Sequence, residues 1–295
     1  MAISSPELRV LSETVKDLAN FGPNQALQLS TRLRSQIESA KATLPGSAAF
    51  GIILVDGLSI REEFLVGQLG YFLPELPIVG GSAGDDLQFK TTSIFSSGEW
   101  NGNAAAIVVV VTTLPFTIFK TQHFEPSDRK LVITSADPDT RLVREINGEP
   151  AAEEFARLIN SSLEQLGPSV FSKYPLMLSI GGEYFVRSIQ KANLDGSLTF
   201  HCAIDEGLVL TIARATNLVT NIESALNKVH TTVPSPGVII CFECILRRLE
   251  TFDKRLEQAV GDLYARNNVV GFHTYGEQCS ALHINQTLTG IAIGA

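Results

Sequence analysis

Clustered basic residues are scarce in this chain. Lys and Arg number 23 against 31 Asp and Glu, a net charge of -8, and the densest basic spot is the pair Arg247-Arg248. Neutralising a phosphate backbone takes a stripe of cations, so this balance argues against general nucleic-acid binding. Long hydrophobic runs are missing too: the longest, residues 104–111, has the length of a strand and falls well short of a bilayer span. No charged-then-apolar targeting pattern opens the chain, so a cytoplasmic protein with no membrane partner is expected. Cysteine is limited to 4 residues, and without a secretory signal these should stay reduced. The 5 histidines are scattered, no two at metal-ligand spacing on one helix, so no metal site is expected. A lone histidine as a haem ligand stays open.

What is present suits a globular protein. The 295 residues are 44% hydrophobic and 18% charged, enough for a substantial core in one or two domains. An alternating stretch at Leu8 to Leu11 precedes a helix in which Leu27, Leu29, Leu33 and Ile37 recur near helical spacing until Pro45-Gly46. Residues 51–55 read as a buried strand. Ser59, with Glu62 three residues on, is the expected N-cap of a helix that Pro74 stops. Ile78-Val79 leads into a glycine turn, and 91–111 reads as a hairpin. In the less periodic middle, short strands are expected near 115–124, 131–135, 143–146, 174–180, 185–189, 197–202 and 211–214, with helices over 151–166 and 217–229.

The last third repeats the plan of residues 50–111: a strand at 238–246, a helix at 252–264, a strand at Val269-Val270, a glycine turn with an acid, and a final strand. Gly276-Glu277 stands where Gly84-Asp85 stood. The expected fold class is α/β of the mixed α+β kind, with mixed sheets flanked by helices. Two similar strand-helix-strand-hairpin units around a pseudo-twofold axis would leave a ligand cleft between them.

Residues 267–294 organise this reading. Gly271 and Gly276 permit sharp turns. The strand that follows alternates, with Leu282, Ile284 and Leu288 on one face and His283, Asn285, Thr287 and Thr289 on the other. Such a row of uncharged hydrogen-bonding groups, beside Tyr275 and Glu277, suits a small polar pocket. The plainer alternative is a half-exposed strand with its polar face in water.

Two further motifs carry possible chemistry. Gly80-Gly81-Ser82-Ala83-Gly84 matches G-x-S-x-G, the serine nucleophile elbow. The required strand precedes it, but turn and strand residues follow where a helix is needed. A hydrolase built on Ser82, with Asp205 and His273 or His283, is therefore the least favoured reading. Cys241 and Cys244 form a CxxC inside a strand, where residues three apart face opposite ways and should not pair. Cys244, near Arg247 and Arg248, is the candidate reactive thiol.

In order and spacing, several segments resemble the FIST family. They are residues 78–85, Asp195 to Phe200 with Glu206-Gly207, Cys244 with Arg247, Gly271-Phe272 with Tyr275-Gly276-Glu277, and Asn285-Gln286-Thr287. The resemblance implies an N-terminal-type domain over 1–170, short of its first strand-and-helix unit, and a C-terminal-type domain over 171–295. It implies an intracellular sensory module without established chemistry, binding a small molecule such as an amino acid. Bacterial members act with histidine kinases, cyclic-di-GMP enzymes or chemotaxis receptors, eukaryotic ones with F-box domains, and some bacterial members resemble haem-bound nitric-oxide sensors.

On that basis Tyr275, Asn285 and His283 would offer neutral hydrogen bonds to the ligand, with Ser82 on the adjoining turn. Glu277 and Asp85 would meet an amino group, and Arg247 a carboxylate. A separate signalling protein is the expected partner. The rivals are a haem sensor ligated by a histidine, Tyr275 or a cysteine, and an interaction module with no ligand.

Overall fold

The structure is a computed structural model that describes residues 4–295. The first unit runs β1 (Leu8–Val15), α1 (Pro23–Thr43), β2 (Ala48–Asp56), α2 (Glu62–Phe72), β3 (Ile78–Ala83), the hairpin β4 (Ile94–Ser96) and β5 (Glu99–Asn101), then β6 (Ala105–Thr112) and β7 (Phe116–Thr121). A middle region follows with β8 (Phe124–Asp137), β9 (Leu142–Ile146), β10 (Glu149–Pro150), α3 (Ala151–Ile159), α4 (Pro168–Lys173), β11 (Leu176–Ile180), β12 (Glu183–Arg187), β13 (Ile189–Ala192), β14 (Leu198–Phe200) and β15 (Val209–Ala215). The last third holds α5 (Leu218–Thr232), β16 (Pro236–Cys244), α6 (Ile245–Asp253), α7 (Glu257–Arg266), β17 (Val269–Thr274), β18 (Glu277–Cys279), β19 (Leu282–Ile284) and β20 (Leu288–Gly294).

Two sheets stack face to face. One has the order β1-β6-β2-β3-β18-β19 and the other β17-β16-β20-β7. Their shared core sets Phe50, Val79 and Val110 against Phe242, Ile291 and Ile293. Burying each phenylalanine contributes roughly 2–3 kcal/mol. On the outer face of the first sheet, Leu29 and Leu33 of α1 and Leu65 and Leu69 of α2 pack on Ile53, Val55, Ile107 and Val109. On the outer face of the second, α5 and α7 bring Ile222, Leu226, Val260 and Leu263 against Ile239, Leu288 and Ala292. Strands sandwiched between helices and another sheet are apolar on both faces, which is why 51–55 and 104–111 are continuous hydrophobic runs.

The repeat inferred from sequence is present in the topology. β2 pairs parallel with β3 and antiparallel with β6, and β16 pairs parallel with β17 and antiparallel with β20. Gly80 and Gly271 occupy matching sites. A Cβ on Gly80 would lie 1.9 Å from the carbonyl oxygen of Ile53, and one on Gly271 would lie 2.0 Å from that of Cys241, so neither position admits a side chain. The units differ in their crossovers: β18 leaves the second unit and pairs antiparallel with β3 of the first. Between the units, the middle region forms its own sheet, β12-β11-β15-β8-β9-β14-β13, with β10 on β9. Residue 170 lies in α4, between the two runs of strands that build it.

Several expected boundaries move. α2 begins at Glu62 behind Arg61, and Ser59 accepts only a 3.4 Å contact from the Arg61 amide, so it does not cap the helix. The helix expected over 151–166 stops at Ile159, where Asn160 turns left-handed at φ 55°. β16 ends at Cys244, and the helix expected over 252–264 is the pair α6 and α7. The polar stretch 282–289 is two strands in different sheets, β19 and β20, separated by Gln286 at φ 50°.

Candidate functional site

The two glycine turns meet. Gly84 lies against the Tyr275 ring, with space for a Cβ only 3.0 Å from it. The Tyr275 hydroxyl donates to Asp85 Oδ1 and accepts the Leu87 amide at 2.7 Å. Asp85 also accepts the amides of Phe89, Lys90 and Thr91 at 2.9, 2.6 and 3.0 Å. Burial opposes its charge, but the Tyr275 hydroxyl and these amides outweigh burial and hold its pKa at about 2. Its oxygens are thus spent on ordering the loop rather than on a ligand's amino group. Phe89 stacks on Tyr275 with ring centroids 4.9 Å apart, and His201 of the middle region packs 5.9 Å from Tyr275. Burial first, then Arg141 and His283, lower the His201 pKa to about 3.

Beyond Gly276 every polar side chain except that of Ser280 turns inward. His283, Asn285, Thr287 and Thr289 are all buried, which rules out the half-exposed strand. Gln278 of β18 reaches Ser82 of β3: its Nε2 donates to Ser82 Oγ at 2.9 Å and to His283 Nδ1 at 3.0 Å. The neutral His283 ring, its pKa lowered chiefly by burial, therefore carries its proton on Nε2. That nitrogen and Asn285 Nδ2 both crowd Gly276, at 2.5 and 2.9 Å from where a Cβ would stand. Neither finds a hydrogen-bond partner. Among the described residues, thirteen buried side-chain polar atoms are unpaired, and six of them lie between 278 and 289: Gln278 Oε1, His283 Nε2, both Asn285 amide atoms, Gln286 Oε1 and Thr289 Oγ1.

Glu277 sits apart from that cluster. It is fully buried, accepts from the Thr274 hydroxyl, and takes the Thr287 hydroxyl and amide at 2.6 and 3.1 Å. Burial outweighs these bonds and raises its pKa to about 8, so near neutral pH it is mostly a neutral acid and not the anion expected to meet a cation. Cys244 is no reactive thiol: burial, then the neighbouring Glu277, push its pKa well up.

Arg247 faces a different partner set. Its Nε donates to Glu243 Oε1 at 3.0 Å and its Nη1 to His123 Nδ1 at 2.8 Å. His123 Nε2 then donates to Glu250 Oε2 at 2.7 Å, and Lys254 reaches Glu250 Oε1 at 2.6 Å. This buried chain anchors α6 to the start of β8, and it is not gathered with Tyr275 and His283. A second buried network ties α2 to the middle region: Arg141 reaches Glu62 at 2.9 Å, Glu63 at 2.8 Å and the His201 carbonyl at 2.8 Å. Glu243 and Arg247 are legible as an i,i+4 pair. His123, Glu250, Arg141 and His201 join from distant segments, and no local signal marks them.

Ser82 does not form a nucleophile elbow. It is buried in a strand, its backbone bonds the 275–276 segment on both sides, and a loop follows it. An axial haem imidazole needs an open nitrogen over an apolar slot. His123 and His230 have both nitrogens engaged, and His283 abuts Gly276. The His201 ring is walled by Phe89 and Tyr275, and His273 leans to Glu243 at 3.5 Å. His273 also lines a cavity of about 390 Å³ with Val270, Phe272 and Leu288. No helix among the described residues is long and apolar enough to cross a membrane.

The chain is 23% identical over 278 residues to an uncharacterized protein of Methanocaldococcus jannaschii, covering 82% of this chain and 53% of that relative. It therefore spans about half the length of the curated relative it matches. The model of the FIST N domain matches residues 1–149 and that of the FIST C domain residues 151–280. With nearly the whole sequence matched, the chain belongs to the FIST family of signal-transduction sensory domains.

Proposed function

We propose that this protein binds a small polar ligand at the cluster formed by Gln278, His283 and Asn285, and signals its presence to a separate protein. The observation that carries this reading is the concentration of unpaired buried polar atoms between 278 and 289. Buried polar groups are paired in the great majority of cases, and leaving one unpaired costs about 1–3 kcal/mol. Several together, two of them against Gly276, suit a molecule that pairs with them.

Their chemistry narrows the ligand. His283 Nε2–H and the Asn285 amide nitrogen donate, while Asn285 Oδ1 and Gln278 Oε1 accept. A compact ligand bearing both acceptors and donors, such as a free amino acid, matches that set. Neutral acceptors, rather than Glu277 or Asp85, would meet its ammonium group. The hairpin that holds these residues pairs with β3 of the first unit, so occupancy bears on how the two units join. The recipient would be a cytoplasmic signalling protein of the histidine kinase, cyclic-di-GMP enzyme or chemoreceptor type.

Isothermal titration with the free amino acids tests this. At least one should bind, and Asn285→Leu should weaken it about tenfold or more. Binding unchanged by that substitution would place the ligand elsewhere.

A further inference from the structure

The second unit ends in a strand edge whose counterpart in the first unit is covered. In the β2–β3 pair the Gly51 amide donates to the Pro77 carbonyl at 2.8 Å. By the alternation of a parallel ladder, Ile78, Gly80 and Ser82 then point their backbone groups away from β2. The crossing segment takes them up: Ser82 N–H donates to the Gly276 carbonyl at 2.8 Å, Tyr275 N–H to the Ser82 carbonyl at 3.0 Å, and Ser280 N–H to the Ile78 carbonyl at 2.7 Å. In the β16–β17 pair the Ile239 amide donates to the Asn268 carbonyl at 3.0 Å, the same register. Val269, Gly271 and His273 are thus the counterparts of Ile78, Gly80 and Ser82.

β17 is the outermost strand of its sheet, and among the described residues nothing pairs with its outward groups. The first unit's own hairpin, β4–β5, forms a separate two-stranded sheet and does not reach it. Residues 270–273 are exposed in succession, with Val270 at 37% and Phe272 at 43%. Natural sheet edges are usually guarded by charges or proline. The stretch 267–274 has no Lys, Arg, Asp, Glu or Pro. Cavities of about 390 and 560 Å³ flank the strand, one beside Tyr264 and Leu288, the other beside Leu8 and Val238.

We propose that this edge pairs antiparallel with the same edge of a second copy of the chain, centred on Gly271. That register uses all three outward residues of each copy, setting Gly271 opposite Gly271 and Val269 opposite His273. It also sets Val270 of each copy against Phe272 of the other, so the two exposed apolar side chains cover one another twice over. An antiparallel strand is also what the corresponding edge of the first unit receives. The four-stranded sheet becomes half of a continuous sheet running through the dimer.

Sedimentation of the full chain across the micromolar range tests the pairing. The wild type should show twice the monomer mass. Val270→Lys and Phe272→Glu should each shift the dimer to monomer, raising its dissociation constant about tenfold or more. The double variant, with opposite charges across both reciprocal contacts, should restore the dimer. His273→Pro, which deletes an outward N–H and leaves the β16 ladder intact, should also give monomer, with circular dichroism confirming that each variant is folded. Hydrogen exchange should show the amides of Gly271 and His273 protected at dimeric concentration and released on dilution. A monomeric wild type, or single charge variants that stay dimeric, overturns the proposal.

Discussion

Replacing Glu277 by glutamine should stabilise the protein at neutral and alkaline pH and not at acid pH. The carboxyl is fully buried and its pKa stands at about 8, against an ordinary 4.5. An acid whose folded pKa lies above its unfolded value costs nothing below the unfolded pKa, because both states hold the proton. The cost grows as pH rises between the two values, because only the unfolded state ionises freely. It levels at about 5 kcal/mol above the folded pKa. Glutamine mimics the neutral acid: its oxygen can accept from Thr287 and its NH2 can donate to the Thr274 hydroxyl. Between about pH 5 and pH 7.5 the wild type should therefore lose about 3 kcal/mol relative to Glu277→Gln. Urea unfolding followed by circular dichroism at those two pH values measures the gap. A gap that does not change with pH, or a variant that loses stability equally at both, would refute the account of Glu277 as a buried neutral acid.

Three further substitutions probe the neighbouring contacts. Gly276→Ala would put a methyl 2.2 Å from His283 Cε1 and 2.5 Å from Nε2; it should cost about 1–3 kcal/mol in urea unfolding and weaken any bound ligand. Tyr275→Phe deletes the bonds to Asp85 and from Leu87, so it should cost about 1–2 kcal/mol and speed amide exchange at Phe89, Lys90 and Thr91. Arg247→Ala strands buried Glu243 and His123 and should cost about 3–5 kcal/mol, with part regained by adding Glu243→Gln.

Much of the framework was legible because its signals are local. Doubly covered β2 and β6 announce themselves as unbroken apolar runs, and α1 by its leucine spacing. The glycines at 84 and 276 correctly marked turns that meet. Other features depend on partners far along the chain. The stretch 282–289 alternates like one strand, yet a left-handed Gln286 sends its halves to different sheets. Burial on both sides then turns a seemingly solvated polar face into an interior one. Arg247 looked free of protein partners because His123, more than a hundred residues away, leaves no trace near it; in the fold its Nε and Nη1 are engaged and its Nη2 is unpaired. Glu277 and Asp85 looked alike as acids beside glycines. The one is neutralised by full burial and the other held charged by four hydrogen bonds, a distinction set by tertiary surroundings alone.

The central claim is that the buried cluster of Gln278, His283 and Asn285 holds a small molecule. Native mass spectrometry of the purified chain beside its denatured mass, repeated for Asn285→Leu, tests it most directly. The account predicts a small-molecule adduct on the native wild type that is absent from the denatured chain and from the variant. Coincident native and denatured masses that persist after the free amino acids are supplied would contradict it.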